Sequence, residues 1–218
     1  EAERLRQFQA FLRDNDIADS VEVPVPVPEL CSEAVLTMTR LDGKPLVDAS
    51  PSPATEAAVA TLVRTWALSV VSGPFFHADM HAGNVLLLRD GNKIGLLDFG
   101  VVGFLPPTTY EAVLSMADAY KVKDSMAVAV ALRDMGVAKE TLSLDTLAQD
   151  LDRTIFGSDT AATSPTAAET LVDLVDVSRR NSLLLPREFS LLVKQALYLD
   201  RYISALAPGM DVFSDPRV

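Results

Sequence analysis

Thiol and imidazole are scarce in this chain of 218 residues, which has one cysteine, Cys31, and two histidines, His77 and His81. A single thiol excludes an internal disulfide and fits a reducing compartment, where a buried, inert role is the ordinary one. The two histidines have no third soft ligand near them and are not expected to build a metal site. No apolar run approaches the ~20 residues a membrane-crossing helix needs, so no segment is expected to be transmembrane. Cations are outnumbered, 19 Lys and Arg against 30 Asp and Glu, and the net charge of −11 argues against nucleic acid or anionic lipid as a partner of the bulk surface. What the chain does have is apolar side chains, 49% of the total. That is enough to bury a real core in one domain or two small ones. No internal repeat is evident.

Residues 77–100 read HADMHAGNVLLLRDGNKIGLLDFG. Phosphoryl transfer on ATP asks little covalent chemistry of a protein and much positioning of charge: a base or orienting carboxylate beside oxygen ligands for Mg²⁺ on the phosphates. Asp79, Asn84 and Asp98 supply that set. The five-residue step from Asp79 to Asn84 matches a kinase catalytic loop, in which the Asp faces the attacking hydroxyl and the Asn holds a metal. Asp98-Phe99-Gly100 follows after two short apolar runs, Val85–Leu88 and Ile94–Leu97. Arg89–Lys93 separates them, with an Asp-Gly-Asn core that is a strong turn signal. The pattern predicts two paired strands that carry Asn84 and Asp98 to one end of a ladder. Either motif alone is common; both at this spacing around one hairpin are not. Asp79 is therefore the expected catalytic residue, and Asn84 and Asp98 the expected metal ligands. His77 and His81 are expected to be structural or solvent-facing.

The segment Phe75 to Asn84, followed by Leu97 to Leu105, resembles the signature of the ABC1/UbiB/ADCK (COQ8-like) atypical kinases. Upstream, Val35 to Leu46 resembles the family's inter-lobe segment; downstream, Leu185 to Phe189 and the chain through Pro208 resemble its C-terminal helices. The resemblance implies an α+β, protein-kinase-like fold. Residues 1–40 would be part of the small lobe and the hinge, and residues 41–218 a helical large lobe carrying the hairpin at 75–105. It implies ATP and Mg²⁺ as cofactors, with Met38 and Leu86 meeting the nucleotide and Glu1 as the helix carboxylate that pairs with a lysine. It also implies ATPase or atypical kinase activity in isoprenoid quinone or lipid metabolism, with pathway proteins or a membrane surface as partners, in mitochondria, plastids or bacteria. The family usually has prolines where this chain has Met80 and Ala82, and a Glu where it has Thr39. Its alanine-rich loop, strand lysine and KxGQ element are not in these residues, so the chain is expected to be an N-terminally incomplete piece. An aminoglycoside-phosphotransferase-like enzyme and a nucleotide-sensing pseudokinase or scaffold are the alternatives.

Elsewhere the periodicity is mostly helical. Glu1, Leu5, Phe8 and Leu12 share one stripe of a first helix. Val21–Pro28 alternates, but its three prolines forbid a central strand, so it should be an extended edge leading to a strand at Val35–Thr39. A helix over about 55–72 should bury Val59, Leu62, Val63, Trp66 and Val70 and stop at Gly73-Pro74. The next should begin near Thr108 with Tyr110, Val113, Leu114 and Ala117 inward, leaving almost no segment after Gly100 to hold a peptide. Further helices are expected at about 125–135, 143–155 and 168–180, with a small, polar loop at 157–169. A last helix should open at Pro186 and bury Phe189, Leu192, Val193, Ala196, Leu199 and Ile203.

Overall fold

Helix α1 (Ala2–Asp14) turns Leu5, Phe8, Phe11 and Leu12 into the interior, the stripe its four-three spacing requires. The computed structural model describes residues 1–89, 93–138, 142–157, 166–212 and 215–218. By internal contacts the chain forms two units, Glu1–Phe104 with Tyr198–Val218, and Leu105–Leu197.

In the first unit, β1 (Val21–Glu22), β2 (Gly43–Pro45), β4 (Val85–Leu88) and β5 (Ile94–Leu96) form a sheet of order β1-β5-β4-β2. The two expected strands pair antiparallel, Val85 opposite Leu96 and Leu87 opposite Ile94. The Asp-Gly-Asn turn between them lies outside the described residues. Alternation then splits their side chains between two faces. Val85, Leu87, Ile94 and Leu96 join the main core; Leu86 and Leu88 join Leu41 and Leu97 in a small separate cluster. A second ribbon pairs β3 (Phe76–His77) with β6 (Val102–Gly103). Gly103 is required there, because a Cβ would run into the ring of Phe76.

Helix α2 (Pro53–Ser72) opens on a capping box of Ser52 and Thr55, with Pro53 in its first turn, and ends at Gly73. By length and composition it could cross a membrane, which corrects the expectation that no segment could. Its Val59, Leu62 and Val63 are 0–3% exposed in the core beside α1 residues, and that packing is the use the fold makes of its apolar surface. Trp66 and Val70 are only half-buried.

The strand expected at Val35–Thr39 does not form. Only a single antiparallel bridge joins Met38 to Pro26, flanked by bonds from Val27 N–H to Thr37 O and from Thr39 N–H to Val25 O. Prolines at 24, 26 and 28 offer no N–H, so the ladder cannot extend.

The second unit is helical: α3 (Pro107–Lys121), α4 (Ser125–Met135), α5 (Leu144–Leu151) continuing into one π-helical turn (Asp152–Phe156), and α6 (Ala167–Arg180). A ribbon of β7 (Val137–Ala138) and β8 (Leu183–Leu184) belongs to it. Asp124 caps α4 and Gly136 closes it; Thr166 and Glu169 cap α6 reciprocally. Most of the polar loop expected at 157–169 lies outside the described residues. The inward face of α3 differs from expectation. Thr109, Ala112, Met116 and Ala119 are buried while Leu114 is 41% exposed and Ala117 is exposed. Helix α3 packs on α4, and three of these four buried residues are small, which allows close helix approach. Helix α7 (Arg187–Leu206) closes the chain, with Phe189, Leu192, Val193 and Leu199 buried and Ala196 and Ile203 half-buried.

Candidate active site

The β4–β5 register sets the site. Beyond the last strand pair, the Leu97 N–H donates to Asn84 O at 2.9 Å. Asn84 therefore stands opposite Leu97, with Asp98 one residue further at the same end. Asn84 is 6% exposed. Its Nδ2 donates to the backbone carbonyl of Asp79 at 2.9 Å and its N–H to His81 O at 2.9 Å. With the amide nitrogen engaged, Oδ1 is the atom the side chain has left for a cation.

His77 joins the two halves of the motif. Its Nδ1 accepts the Asp79 N–H at 3.1 Å, and its Nε2 lies 2.8 Å from Leu97 O. A nitrogen that accepts carries no proton, so the proton sits on Nε2 and is donated to Leu97. The ring is 1% exposed. Burial above all lowers its pKa from 6.5, against the raising effects of the Leu97 bond and of the Asp79 and Asp98 charges. A neutral His77 thus ties the residue that precedes Asp98 to the residue it precedes by two.

Asp79 is part-exposed, and His81 Nε2 lies 3.7 Å from its Oδ2. His81 Nδ1 accepts the Gly83 N–H at 3.0 Å, which aims the other nitrogen at the carboxylate. Met80 is 1% exposed, and its carbonyl accepts the Tyr202 hydroxyl at 3.3 Å. Burial pushes the Tyr202 pKa up to about 12, so this hydroxyl stays a donor.

Asp98 adopts a left-handed backbone with φ of 52°, a conformation Asp tolerates better than most residues. Its Oδ1 accepts the Gly100 N–H at 2.9 Å, and the residue is exposed. Phe99 is fully buried against Phe8 and His77, with ring centroids 4.9 and 4.8 Å away, and against Phe75 at 6.3 Å. Glu1 meets this turn directly, its Oε1 accepting the Phe99 N–H at 3.1 Å.

Leu86 is 9% exposed in the small cluster with Leu41, Leu88 and Leu97. Met38 is 37% exposed and bridges Pro26, outside that cluster. The structure thus gathers Asp79, Asn84, Asp98 and Glu1 around one strand end, with Leu86 on the hairpin's outer face. Among the described residues no group of three or more His, Cys, Asp or Glu is arranged to hold an ion alone. Asn84 and Asp98 would supply one amide and one carboxylate oxygen, the hard oxygen donors that Mg²⁺ takes alongside substrate phosphates.

Two residues at the site escaped the sequence reading, Arg4 and Tyr202, and His81, expected to be structural or solvent-facing, lies beside the Asp79 carboxylate. The signal for Arg4 was its i, i+3 spacing from Glu1. Tyr202 lies 122 residues from Met80, and no local pattern announces such a contact.

This is a kinase-like fold. Residues 1–132 match the family described as the ABC1 atypical kinase-like domain. The chain belongs to that family. It is 34% identical, over its full length, to an uncharacterized aarF domain-containing protein kinase, chloroplastic, of Arabidopsis thaliana, of which it covers 45%. It is 30% identical to an uncharacterized protein of Mycobacterium tuberculosis, again over its full length and 46% of the relative. A probable protein kinase UbiB of Haemophilus ducreyi is 26% identical over 94% of this chain and 40% of its own length. The chain thus spans less than half the length of these curated relatives. Among solved structures, the Rv3197–erythromycin complex from Mycobacterium tuberculosis aligns with a TM-score of 0.57 at 16% identity, over 97% of this chain and 58% of that one.

Proposed function

We propose that the protein is an ATP- and Mg²⁺-dependent ATPase or atypical kinase acting on a small or lipid-like acceptor. Residues 1–40 would belong to the small lobe and hinge, and residues 41–218 to the large lobe. The observation that carries this reading is the direct bond from Asn84 to the backbone of Asp79, beside the ladder end that also holds Asp98. Base and metal ligands are then parts of one hydrogen-bonded unit, as a reaction dependent on positioning requires.

In this reading Asp98 and Asn84 would hold Mg²⁺, which would supply charge neutralisation on the phosphates. Asp79 faces the acceptor hydroxyl or water and orients or deprotonates it. His77 is too buried and too committed to its two partners for that role. Leu86, with Leu41 and Leu97, offers an apolar surface for adenine, and Met38 lies in the inter-lobe segment where the base would also be met. Only residues 101–106 separate Gly100 from α3, too short a stretch to seat a peptide. Val101 and Phe104 on that stretch are 43% and 63% exposed, and the Val101 carbonyl accepts the N–H of Ala78, the neighbour of Asp79. Apolar surface beside the base supports a lipid-like acceptor, in keeping with isoprenoid quinone or lipid metabolism at a membrane.

Phosphate release from ATP by the full-length protein tests the proposal, measured with and without Mg²⁺ and with and without lipid vesicles. Mg²⁺-dependent turnover is the expected result. MgATP binding without turnover would favour a nucleotide-sensing scaffold instead.

A further inference from the structure

Arg4 lies on the same side of α1 as Glu1 and closes a second contact on the Asp98-Phe99-Gly100 turn. Its Nη1 donates to Phe99 O at 3.0 Å and to Gly100 O at 2.7 Å. Phe99 and Gly100 stand between β5 and β6, where no sheet partner takes their backbone groups. The four polar groups are satisfied otherwise: Phe99 N–H by Glu1, both carbonyls by Arg4, and Gly100 N–H by Asp98 Oδ1. Phe8, four residues after Arg4, packs its ring on that of Phe99. One side of α1 therefore presents a carboxylate, a guanidinium and an aromatic ring in successive turns, all three engaging Phe99 and the guanidinium Gly100 as well.

The consequence falls on Asp98. Its left-handed backbone is unfavourable for a residue with a side chain and persists only when the surroundings hold it. On one side His77 fixes Leu97. On the other the chain is held through Phe99 and Gly100. Two successive carbonyls converge on one nitrogen only if the Phe99–Gly100 segment keeps its curl, and that curl also brings Gly100 N–H to Asp98 Oδ1. Charge adds to geometry: a guanidinium keeps its proton at any working pH and forms stronger hydrogen bonds than a neutral donor.

We infer that Arg4 is a positioning residue that orients the Asp98 carboxylate by gripping the two residues after it, and so sets the strength of Mg²⁺ binding without touching the metal. This rests on the reading of Asp98 as a metal ligand.

The test compares wild type, Arg4→Met and Arg4→Lys in the full-length protein. Met keeps the length and helix propensity of the side chain and removes the donors; Lys restores a charged donor. MgATP affinity is measured by calorimetry beside ATP affinity in EDTA, and amide exchange is followed over residues 98–101. Loss of an indirect support typically costs about 10- to 100-fold in metal affinity. Arg4→Met should therefore weaken MgATP binding by about 10-fold, leave metal-free ATP binding unchanged, and speed exchange at Phe99 and Gly100. Arg4→Lys should recover part of both effects. Equal losses with and without Mg²⁺, or exchange and MgATP affinity as in wild type, would overturn the inference. Should Arg4→Met not fold, Arg4→Lys decides, since a weaker grip must still lower the Mg²⁺-dependent part alone. A wild type whose ATP binding ignores Mg²⁺ would instead overturn the metal-site reading itself, while faster exchange in Arg4→Met would still show the grip.

Discussion

His77 donates from Nε2 to the carbonyl of Leu97 across 20 residues of sequence, at 2.8 Å, while the opposite nitrogen of the same ring holds the N–H of Asp79. One buried imidazole is thus the mechanical link between the loop of the expected base and the strand end of the expected metal ligand. The link holds only while Nδ1 carries no proton.

Acid should break it. The folded pKa of His77 is lowered from 6.5 by burial, so below pH 6.5 the unfolded chain binds this proton more readily than the fold does. Its contribution to stability is full above the unfolded value and is lost as pH falls from about 6.5 through the lowered folded value. His77→Gln should be less stable at pH 7.5, by about 1–3 kcal/mol for disrupted buried hydrogen bonds, and should lose less stability than wild type between pH 7 and 5. Melting temperatures across that range check it; parallel pH profiles would remove His77 as the source.

Asp79→Asn separates chemistry from binding. The substitution keeps shape, so MgATP affinity should stay within a few-fold, while turnover should fall by roughly 10²-fold or more, the scale of a lost general base. Turnover equal to wild type would deny Asp79 a catalytic role.

Tyr202 braces the loop at Met80. Tyr202→Phe keeps the ring and deletes the bond to Met80 O. It should cost about 0.5–1.5 kcal/mol in denaturant unfolding, with faster amide exchange over residues 79–84. Unchanged exchange would show that the loop is rigid without the brace.

Gly103 meets Phe76 face on. In Gly103→Ala the new methyl has nowhere to go, because the Phe76 ring is itself set edge-on to Trp66, centroids 6.2 Å apart at 82°. Overpacking of this kind should lower stability by about 1–3 kcal/mol. A melting temperature matching wild type would mean that the ribbon gives way easily.

The hairpin was legible because several local signals agree: two apolar runs of strand length, a turn signal between them, and polar residues whose chemistry makes sense only if the register unites them. The α1 stripe and the Gly73 stop of α2 were legible for the same reason. The strand at Val35–Thr39 was not, since its apolar residues suit a strand but its partner segment is interrupted by prolines. On α3 the larger side chains pointed to the wrong face, because helix approach selects small residues and Leu114 tolerates exposure. Glu1 could be placed on an inward face, but its hydrogen bond to Phe99 depends on 98 residues of intervening fold, and the Arg4 contacts depend on the same long-range closure.

The central claim is that Asp98 faces a metal on the phosphates of ATP, and calorimetric titration of the full-length protein with MgATP, wild type against Asp98→Asn, tests it most directly. The account predicts clear binding by wild type that weakens by about 10-fold or more in the variant, since a charged oxygen ligand to a dication is lost, while ATP in EDTA binds both alike. Equal MgATP affinity in the two proteins would contradict it.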